Sequence, residues 1–258
     1  MCQSVKPKNL KKSRTALIDG DICAYRTAIL TEKEGGDELD VQELVRSIVR
    51  TWTSESFCEK IIVGLSCPRD FGFRRLLSPE YKTNRDDLEK PEFLSCAFQG
   101  LKKAFRCVAI PSLEADDVLG ILATNGKVQN PVIITIDKDL KQIPGWHYNP
   151  DKDDFPVRIT EEEADYWCAL QCLTGDSTDN YKGITKCEAF PRGVGPKTAE
   201  KILKDRENNE TLWDAVRKAY KNADLSDEYM LIQAHLARIL RASDWDSDAK
   251  KPIMWDLA

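Results

Sequence analysis

Residues 15–21 read Thr-Ala-Leu-Ile-Asp-Gly-Asp, an apolar run that ends in two carboxylates. Such an uninterrupted apolar run favours a strand buried on both faces. Residues 132–136, Val-Ile-Ile-Thr-Ile, repeat the pattern and are followed by Asp137 and Asp139. In an open α/β sheet, the carboxyl ends of the strands and the adjacent helix starts line the binding crevice. The two stretches therefore predict an α/β fold with carboxylates in its crevice.

Two further acidic groups lie at Glu114-Ala-Asp-Asp117 and Asp176-Ser-Thr-Asp179. Any one acidic pair is explained by helix capping or by the helix dipole, but four pairs, two of them at strand ends, are harder to explain in this way. If carboxylates from four segments converge, cations must offset their repulsion, and oxygen ligands favour Mg²⁺ or Mn²⁺. The pattern indicates metal-dependent phosphate chemistry.

The composition is that of a globular protein without a membrane span. The chain has 258 residues, 41% apolar and 31% charged, and no apolar run approaches the roughly 18 residues that a membrane helix needs. Residues 1–14 are polar and lysine-rich, which is typical of a basic arm rather than a secretory signal. The nine cysteines form no CxxC pair and are interpreted as small buried hydrophobic residues rather than zinc ligands. A cytoplasmic protein is expected.

The net charge of −5 is unusual for a protein that binds nucleic acid. Setting aside the nine acids of the four groups moves the charge of the remaining chain to +4. A modestly basic surface around an acidic, metal-filled pit fits a nucleic-acid enzyme.

Hydrophobic periodicity predicts an α/β half up to about residue 155 and a helical half over 156–258. A capping box at Thr160 and Glu163 opens the helical half, and no later strand is expected except near Ile253. Residues 31–40 are interpreted as a charged loop. The expected strands lie within 15–25 and at 60–65, 107–110 and 132–136, and the expected helices at 41–57, 93–105, 114–124, 160–173, 196–203, 212–220 and 228–240.

The segment Gly193-Val-Gly-Pro-Lys-Thr-Ala199 predicts a phosphate site. Two glycines permit a tight turn, Pro196 suits the first position of a helix, and free N–H groups at a helix start bind phosphate. We interpret it as the hairpin of a helix-hairpin-helix element with Gly193, Gly195, Lys197 and Thr198 as DNA contacts. The alternative is a plain Gly/Pro loop between helices.

Residues 66–92 carry many charges and little periodicity, which predicts a mobile loop with short helical pieces. Within it, an aromatic ring at Tyr81 lies beside Lys82 and Arg85 and could stack on a base while the cations hold phosphates. Arg74 and Arg75 add to the predicted DNA-binding set. The alternative is an ordinary solvated face.

Taken together, these motifs resemble the 5′→3′ exonuclease/flap-endonuclease superfamily, especially the compact exonucleases of short-tailed bacteriophages. The resemblance covers nearly the whole chain. The matching stretches are Leu17–Asp21, Pro79–Arg85, Leu113–Asp117, Ile136–Asp139, Leu173–Asn180, Gly193–Ala199, Glu210–Asp214 and Ala237–Arg241.

The resemblance implies a PIN-like nuclease core, a mostly parallel sheet flanked by helices, followed by a helical region with a helix-hairpin-helix (H3TH) element at about 173–204. Residues 66–92 would form an arch or gateway over the site. The implied activity is 5′→3′ exonuclease or flap endonuclease cleavage of DNA in phage replication or recombination. The substrates would be 5′ ends and flaps of DNA, cut by a monomer in the host cytoplasm. Whether the RNA of RNA–DNA hybrids is also cut stays open at this point.

The resemblance also assigns roles to individual residues. One Mg²⁺ or Mn²⁺ ion would be held by Asp19, Glu114, Asp116 and Asp117, and a second by Asp137, Asp139, Asp176 and Asp179. Lys82 and Arg85 would stabilise the scissile phosphate, so that the catalytic set is Asp19, Asp116, Asp137, Lys82 and Arg85. Tyr81 would stack near the terminal base, and the hairpin at 193–197 would grip duplex phosphates through a K⁺ ion.

Two features depart from the superfamily pattern. Relatives carry a metal-binding Asp after the second strand, where this chain has Cys67, and a thiolate is a poor Mg²⁺ ligand. Either the first site is weaker, or Asp70 takes that role. Residues 186–191, Lys-Cys-Glu-Ala-Phe-Pro, look like an insertion before the hairpin.

Two rival functions stay open at this point. A phosphatase of the haloacid-dehalogenase type would use Asp19 and Asp21, but it leaves the hairpin and most other acids without a role. A DNA-binding relative without catalysis would use the hairpin and the basic loop alone, and the substitution at Cys67 supports it.

Overall fold

The computed structural model describes residues 13–68, 72–206 and 210–255, and the fold is given for these residues. Its main sheet has the strand order β3-β2-β1-β4-β5-β6. The strands are β1 (Thr15–Asp19), β2 (Lys60–Leu65), β3 (Cys107–Ala109), β4 (Pro131–Ile134), β5 (Gly145–Tyr148) and β6 (Val157–Ile159). The first five run parallel, whereas β6 pairs antiparallel with β5. The predicted α/β class with a mostly parallel sheet is confirmed.

The strand order reverses between β1 and β4, which are hydrogen-bonded neighbours. From β1 the chain adds β2 and then β3 on one side of β1, and it then crosses back to place β4 on the other side of β1. Ligand sites in open α/β sheets lie outside the carboxyl ends of the strands at such a switch point. This position is where β1 ends at Asp19 and where Asp137 follows β4.

Helices cover both faces of the sheet. They are α1 (Gly20–Glu34), α2 (Glu38–Glu55), α3 (Phe73–Leu77), α4 (Leu94–Ala104), α5 (Ala115–Thr124), α6 (Glu161–Thr174), α7 (Pro196–Lys204), α8 (Leu212–Asn222) and α9 (Asp227–Ala237). Alternate residues of β1 point to opposite faces. Ala16 and Ile18 pack with residues of α1, α2 and α4, whereas Leu17 packs with Leu119 of α5. The uninterrupted apolar run of β1 thus serves two cores.

The helical half has its own core, formed by α6, α7, α8 and α9. Tyr220 is fully buried there and its hydroxyl donates to the Cys172 carbonyl at 2.6 Å. After α9 the chain returns to the sheet, where Ile239 and Leu240 join the cores beneath α5. The side chain of Gln142 donates to the Ala237 carbonyl and accepts from the Ile239 N–H, which holds this return, and beyond it Arg241 donates to the Gln142 carbonyl. A short hairpin, β7 (Trp245–Asp246) and β8 (Lys251–Pro252), follows.

Several sequence predictions need correction. The sheet continues past residue 155, the predicted end of the α/β half, because β6 follows it. The sequence did not predict β5 and β6, because each has only three or four residues and no clear alternation of apolar and polar side chains. The predicted loop at 31–40 is mostly helix, since α1 extends to Glu34 and α2 starts at Glu38, with the break at Gly35 in the left-handed region (φ 69°). The predicted helix over 228–240 ends at Ala237. In the described ranges, every helix is too short or too polar to cross a membrane.

Candidate active site

Asp19 lies at the carboxyl end of β1 and is 2% exposed. One carboxylate oxygen accepts from the Ile22 N–H at 3.1 Å, which caps α1, and the other accepts from the Thr135 hydroxyl at 3.0 Å. Gly20 is needed beside it because a Cβ there would lie 2.5 Å from Val63 Cγ1 and 2.6 Å from the Gly64 carbonyl oxygen. The Asp-Gly-Asp sequence thus lets α1 start in close contact with β2.

Thr135 links the two central carboxylates, and sequence reasoning missed it. Its hydroxyl donates to Asp19 and accepts from the Asp137 N–H at 3.0 Å. Asp137 in turn accepts from the Asp139 N–H at 2.8 Å. The Asp137 side chain is therefore oriented by the local backbone. The only signal in the sequence was a hydroxyl two positions before Asp137, inside an otherwise apolar strand.

Ser66 is a second residue that sequence reasoning missed. Its N–H donates to Asp21 at 3.2 Å, and its hydroxyl accepts from the Ala115 N–H at 2.8 Å. It therefore joins the start of α1 to the start of α5. Burial raises the pKa of Asp21, against the hydrogen bonds from Ser66, and the charge of Glu114 raises it further. Asp21 thus belongs electrostatically to the same cluster.

The pKa shifts identify the carboxylates that converge. Burial, followed by the charge of Asp21, raises the pKa of Asp19 to about 7. Burial and the charges of Asp19 and Asp137 raise the pKa of Asp116 well above its usual range. Burial and the charges of Asp137 and Asp176 raise the pKa of Asp139 to about 7. Carboxylates from β1, α5 and the segment after β4 therefore repel one another in one pit, and the positive charges of Lys82 and Lys138 offset this repulsion only in part.

Asp176 and Asp179 lie on a tight turn rather than on the predicted helical turn. The turn is closed by two backbone hydrogen bonds between Asp176 and Tyr181, at 2.9 and 3.1 Å. At its base, Gly175 (φ 68°) and Gly183 (φ 50°) lie so close that a Cβ on either would come within 2.5 Å of the facing backbone. These two glycines hold the acidic turn directly after α6.

The segment 80–85 of the predicted arch is docked on this acidic turn. The Lys82 N–H donates to the Asp179 carbonyl at 2.9 Å. Asn84 donates to the carbonyls of Ser177 and Thr178, and Asn180 reaches back to the Glu80 carbonyl at 2.8 Å. The contacts run in both directions, so the turn and the loop hold each other in place.

Docking brings two cations into the acidic pit. The Lys82 ammonium lies 2.6 Å from Glu114 and 3.4 Å from Asp179, and Arg85 lies 2.5 Å from Asp179. Burial would raise the pKa of Glu114, but Lys82 and Arg74 outweigh it, and the pKa falls to about 2. Burial would lower the pKa of Lys82, but Glu114 and Asp179 raise it overall. This side of the pit is neutralised.

Three predicted site residues occupy different positions from those expected. Tyr81 is 3% exposed, and its hydroxyl contacts Glu114 and Asp179 at 3.1 and 3.0 Å, so its ring is not free to stack on a base. Asp117 is fully buried with both carboxylate oxygens bonded to Arg74, at 2.7 and 2.8 Å, and lies outside the set of available ligands. Arg74 is 4% exposed and cannot contact DNA in this arrangement. A charge pattern does not distinguish buried ion pairs from exposed ones.

The remaining predicted DNA contacts are accessible to solvent to different degrees. Arg75 is partly buried and pairs with Asp86 at 2.6 Å. In the hairpin, Gly193 adopts φ 73°, Gly195 is the N-cap of α7, and Pro196 is its first residue. No side chain caps α7, so the N–H groups of its first turn, with exposed Lys197 and neighbouring Thr198, face outward as a phosphate site requires.

The donor set fits a divalent cation chemically, although the side chains are not arranged as a ready-made site. Over residues 13–68, 72–206 and 210–255, no three acidic, histidine or cysteine side chains surround one point as ligands. Instead, Lys82 and Arg85 lie among the carboxylates. Burial raises the pKa of the Cys67 thiol, which makes it a poor ligand, and Asp70 lies outside the described residues.

Residues 14–160 match the family described as 5′-3′ exonuclease, N-terminal resolvase-like domain. The chain is 33% identical over 209 residues to the exonuclease of Escherichia phage T7, covering 70% of this chain and 69% of that protein. It is 32% identical over 211 residues to the exodeoxyribonuclease of Enterobacteria phage T3, covering 70% and 68%.

Solved structures share the fold. The flap endonuclease of bacteriophage T5, in a complex with DNA and metal ions, has a TM-score of 0.61 with 17% identity, covering 87% of this chain and 88% of that one. The phage T5 5′-exonuclease with bound zinc has a TM-score of 0.61 with 16% identity, covering 87% and 90%. At this level of identity the likeness supports the fold alone.

Proposed function

The chain belongs to the 5′–3′ exonuclease family, and we propose that it acts as a nuclease of the flap-endonuclease type, which hydrolyses DNA phosphodiester bonds at 5′ ends and 5′ flaps. One observation carries the proposal. Asp19, Asp116 and Asp139 have raised pKa values in one pit at the switch point of the sheet, beneath a loop that presents Lys82 and Arg85. The family match argues against a haloacid-dehalogenase-type phosphatase, which belongs to another family.

We propose that the pit holds two divalent ions, Mg²⁺ or Mn²⁺, because its donors are oxygens. Asp19, Glu114 and Asp116 would hold one ion, and a second set would hold the other. That second set is Asp137, Asp139, Asp176 and Asp179. When bound, such ions lower the pKa of a water molecule and neutralise charge on a phosphate.

The residues of the chain prepare the site for a phosphate. Thr135 orients the Asp19 carboxylate through its hydroxyl and fixes the backbone at Asp137 by accepting from its N–H. For Glu114 and Asp179 to bind other cations, their pairs with Lys82 and Arg85 have to open. The released ammonium and guanidinium then become donors for a phosphate whose charge develops during cleavage.

We propose that DNA is also held at the hairpin, 193–198. Free N–H groups at the start of α7 and the exposed ammonium of Lys197 supply phosphate contacts there without base contacts. A K⁺ ion at the hairpin turn, cleavage of RNA in RNA–DNA hybrids, a monomeric state and a cytoplasmic location in an infected host are further parts of this proposal.

The test is a time course on 5′-labelled duplex and 5′-flap DNA with Mg²⁺, Mn²⁺ or EDTA. The wild-type protein should release short 5′ fragments only with a divalent ion. Asp137→Ala should cut at least 100-fold more slowly and still bind DNA, as about 10²–10³ is the usual loss for one electrostatic group. The matched control, Asp248→Ala, removes an exposed acid outside the pit and should cut at the wild-type rate.

The second candidate function is DNA binding without cleavage, which Cys67 favours because this thiol, a poor Mg²⁺ ligand, follows β2 where the superfamily resemblance implies a metal-binding Asp. Intact DNA in every lane, with binding retained, would support this function. Cleavage by Asp137→Ala at the wild-type rate would show that the metal assignment is wrong.

A further inference from the structure

Arg74 is a buried arginine in α3 whose guanidinium has a partner for every N–H group. Nη1 donates to Asp117 Oδ2 at 2.7 Å and to Glu114 Oε2 at 3.4 Å. Nη2 donates to Asp117 Oδ1 at 2.8 Å and to the Arg238 carbonyl at 2.6 Å. Nε donates to the Leu236 carbonyl at 3.2 Å. A guanidinium has five N–H groups, so none is left for another ligand.

Asp117 links Arg74 to the start of α5. Its Oδ2 accepts from the Glu114 N–H at 3.3 Å, and its Oδ1 accepts from the Leu240 N–H at 3.0 Å. Glu114 is therefore held twice, through its backbone by Asp117 and through its side chain by Arg74. The start of α5 is where the predicted ligands Glu114 and Asp116 lie.

The third part of the contact is the chain after α9. Leu236 lies in the last turn of α9 and Arg238 follows the helix, and their carbonyls have no partner inside the helix. Arg74 satisfies both. Residues 236–240 are thereby joined to Glu114 through one guanidinium, although more than a hundred residues separate them in sequence.

Such an arrangement is poorly explained by stability alone. A buried ion pair pays a desolvation cost that its own attraction often only balances, and apolar residues of the same volume frequently do as well. A planar guanidinium with all its N–H groups bonded instead fixes the relative positions of the carboxylates that it contacts, here those of Asp117 and Glu114.

We propose that Arg74 is a positioning residue for the metal site: through Asp117 and residues 236–240 it sets the place of Glu114. The inference rests on the proposed function, because it concerns the ion that Glu114 and Asp116 would bind. It also replaces the DNA-contact role that the charge pattern suggested for Arg74.

Charge and geometry make opposite predictions for metal affinity. If Arg74 acted only by its charge, removing it would remove repulsion towards a divalent cation and tighten binding. If it positions Glu114, removing it weakens binding. Arg74→Lys keeps the charge and loses the fork, Arg74→Met loses both, and Asp117→Asn disrupts the same link from the other side.

The experiment is a Mn²⁺ titration of the full chain without DNA, followed by the electron paramagnetic resonance signal of free Mn²⁺, together with thermal unfolding in EDTA. The matched control is Arg241→Met. Arg241 is equally buried and bonded to Gln142 and Asp165, with no contact to a predicted ligand. All titrations are run well below the lowest unfolding midpoint.

Arg74→Lys and Arg74→Met should each raise the dissociation constant of one Mn²⁺ ion about 10–100-fold, the usual effect of losing a group that orients a ligand. Arg241→Met should leave it within about twofold while lowering the unfolding midpoint by a similar amount. Unchanged or tighter Mn²⁺ binding in both Arg74 variants would overturn the positioning role. If Arg74→Met does not fold, the Mn²⁺ dissociation constants of Arg74→Lys and Asp117→Asn provide the test: a raised value supports the positioning role, and an unchanged or lower value in both overturns it. Wild-type protein that binds no Mn²⁺ would overturn the proposed function and this inference together.

Discussion

Replacing Asp139 by Asn should stabilise the protein in the absence of divalent ions. Burial and the charges of Asp137 and Asp176 raise the pKa of Asp139 from 3.8 to about 7. That is about three pKa units, and at about 1.4 kcal/mol per unit the ionised side chain costs the folded state about 4 kcal/mol. Asn has the same shape and no charge, so it removes the cost.

The sign of the pH dependence follows from the raised pKa. Between the unfolded pKa of about 4 and the folded pKa of about 7, the folded state holds the proton that the unfolded state has lost. The stability of the wild-type protein therefore falls as pH rises through this window. The gain from Asp139→Asn should be small below about pH 4 and complete above about pH 7.

The assay is thermal unfolding in EDTA at several pH values. Salt and the neighbouring Lys138 screen part of the repulsion, so we expect a gain of about 2–4 kcal/mol at about pH 8. For a chain of this length that raises the unfolding midpoint by about 5–15 °C. Asp248→Asn, on the exposed surface, is the control and should change little. A gain that is absent, or that is equal at about pH 4 and pH 8, would refute the reasoning.

Two further predictions concern Gly20 and Lys197. Gly20→Ala should destabilise the protein by about 2–3 kcal/mol despite the better helix propensity of alanine, because the new Cβ meets Val63 and the Gly64 carbonyl; a raised unfolding midpoint would contradict this. Lys197→Ala should weaken binding of duplex DNA without changing the rate of bond cleavage at saturating DNA, as expected for a phosphate contact. The slope of the logarithm of the binding constant against the logarithm of salt concentration should become smaller by about one. An unchanged slope would mean that the lysine makes no phosphate contact.

The central strands could be predicted because their signal is local. β1 and β4 are buried on both faces, so their sequences are continuous apolar runs. β5 and β6 were missed because they are short strands at one end of the sheet, held by pairing with their neighbours rather than by their own composition. The gap between α1 and α2 was predicted as a long loop, since charged helix ends resemble a loop in composition.

The acidic residues of the site were predictable for a related reason. Asp19 ends β1 and Asp137 lies three residues after β4, and the carboxyl ends of neighbouring parallel strands meet in space. The partners of these acids were not predictable. Thr135 and Ser66 are common residues with no pattern of their own, and the pairing of Arg74 with Asp117 joins segments 43 residues apart. A sequence motif shows which groups can do chemistry and leaves out what orients them.

The two sides of the pit differ in charge balance, and this difference predicts the order in which cations bind there. Glu114 is fully compensated by Lys82 and Arg74, so that its pKa is about 2, whereas Asp19 and Asp139 each have a pKa of about 7. A divalent cation gains most where the negative charge is uncompensated, which is the side of Asp19 and Asp139. Access to Glu114 requires that Lys82 leave it first. An ion on the uncompensated side needs no such displacement, so cation binding should begin there and reach Glu114 only as the loop over the site releases its lysine.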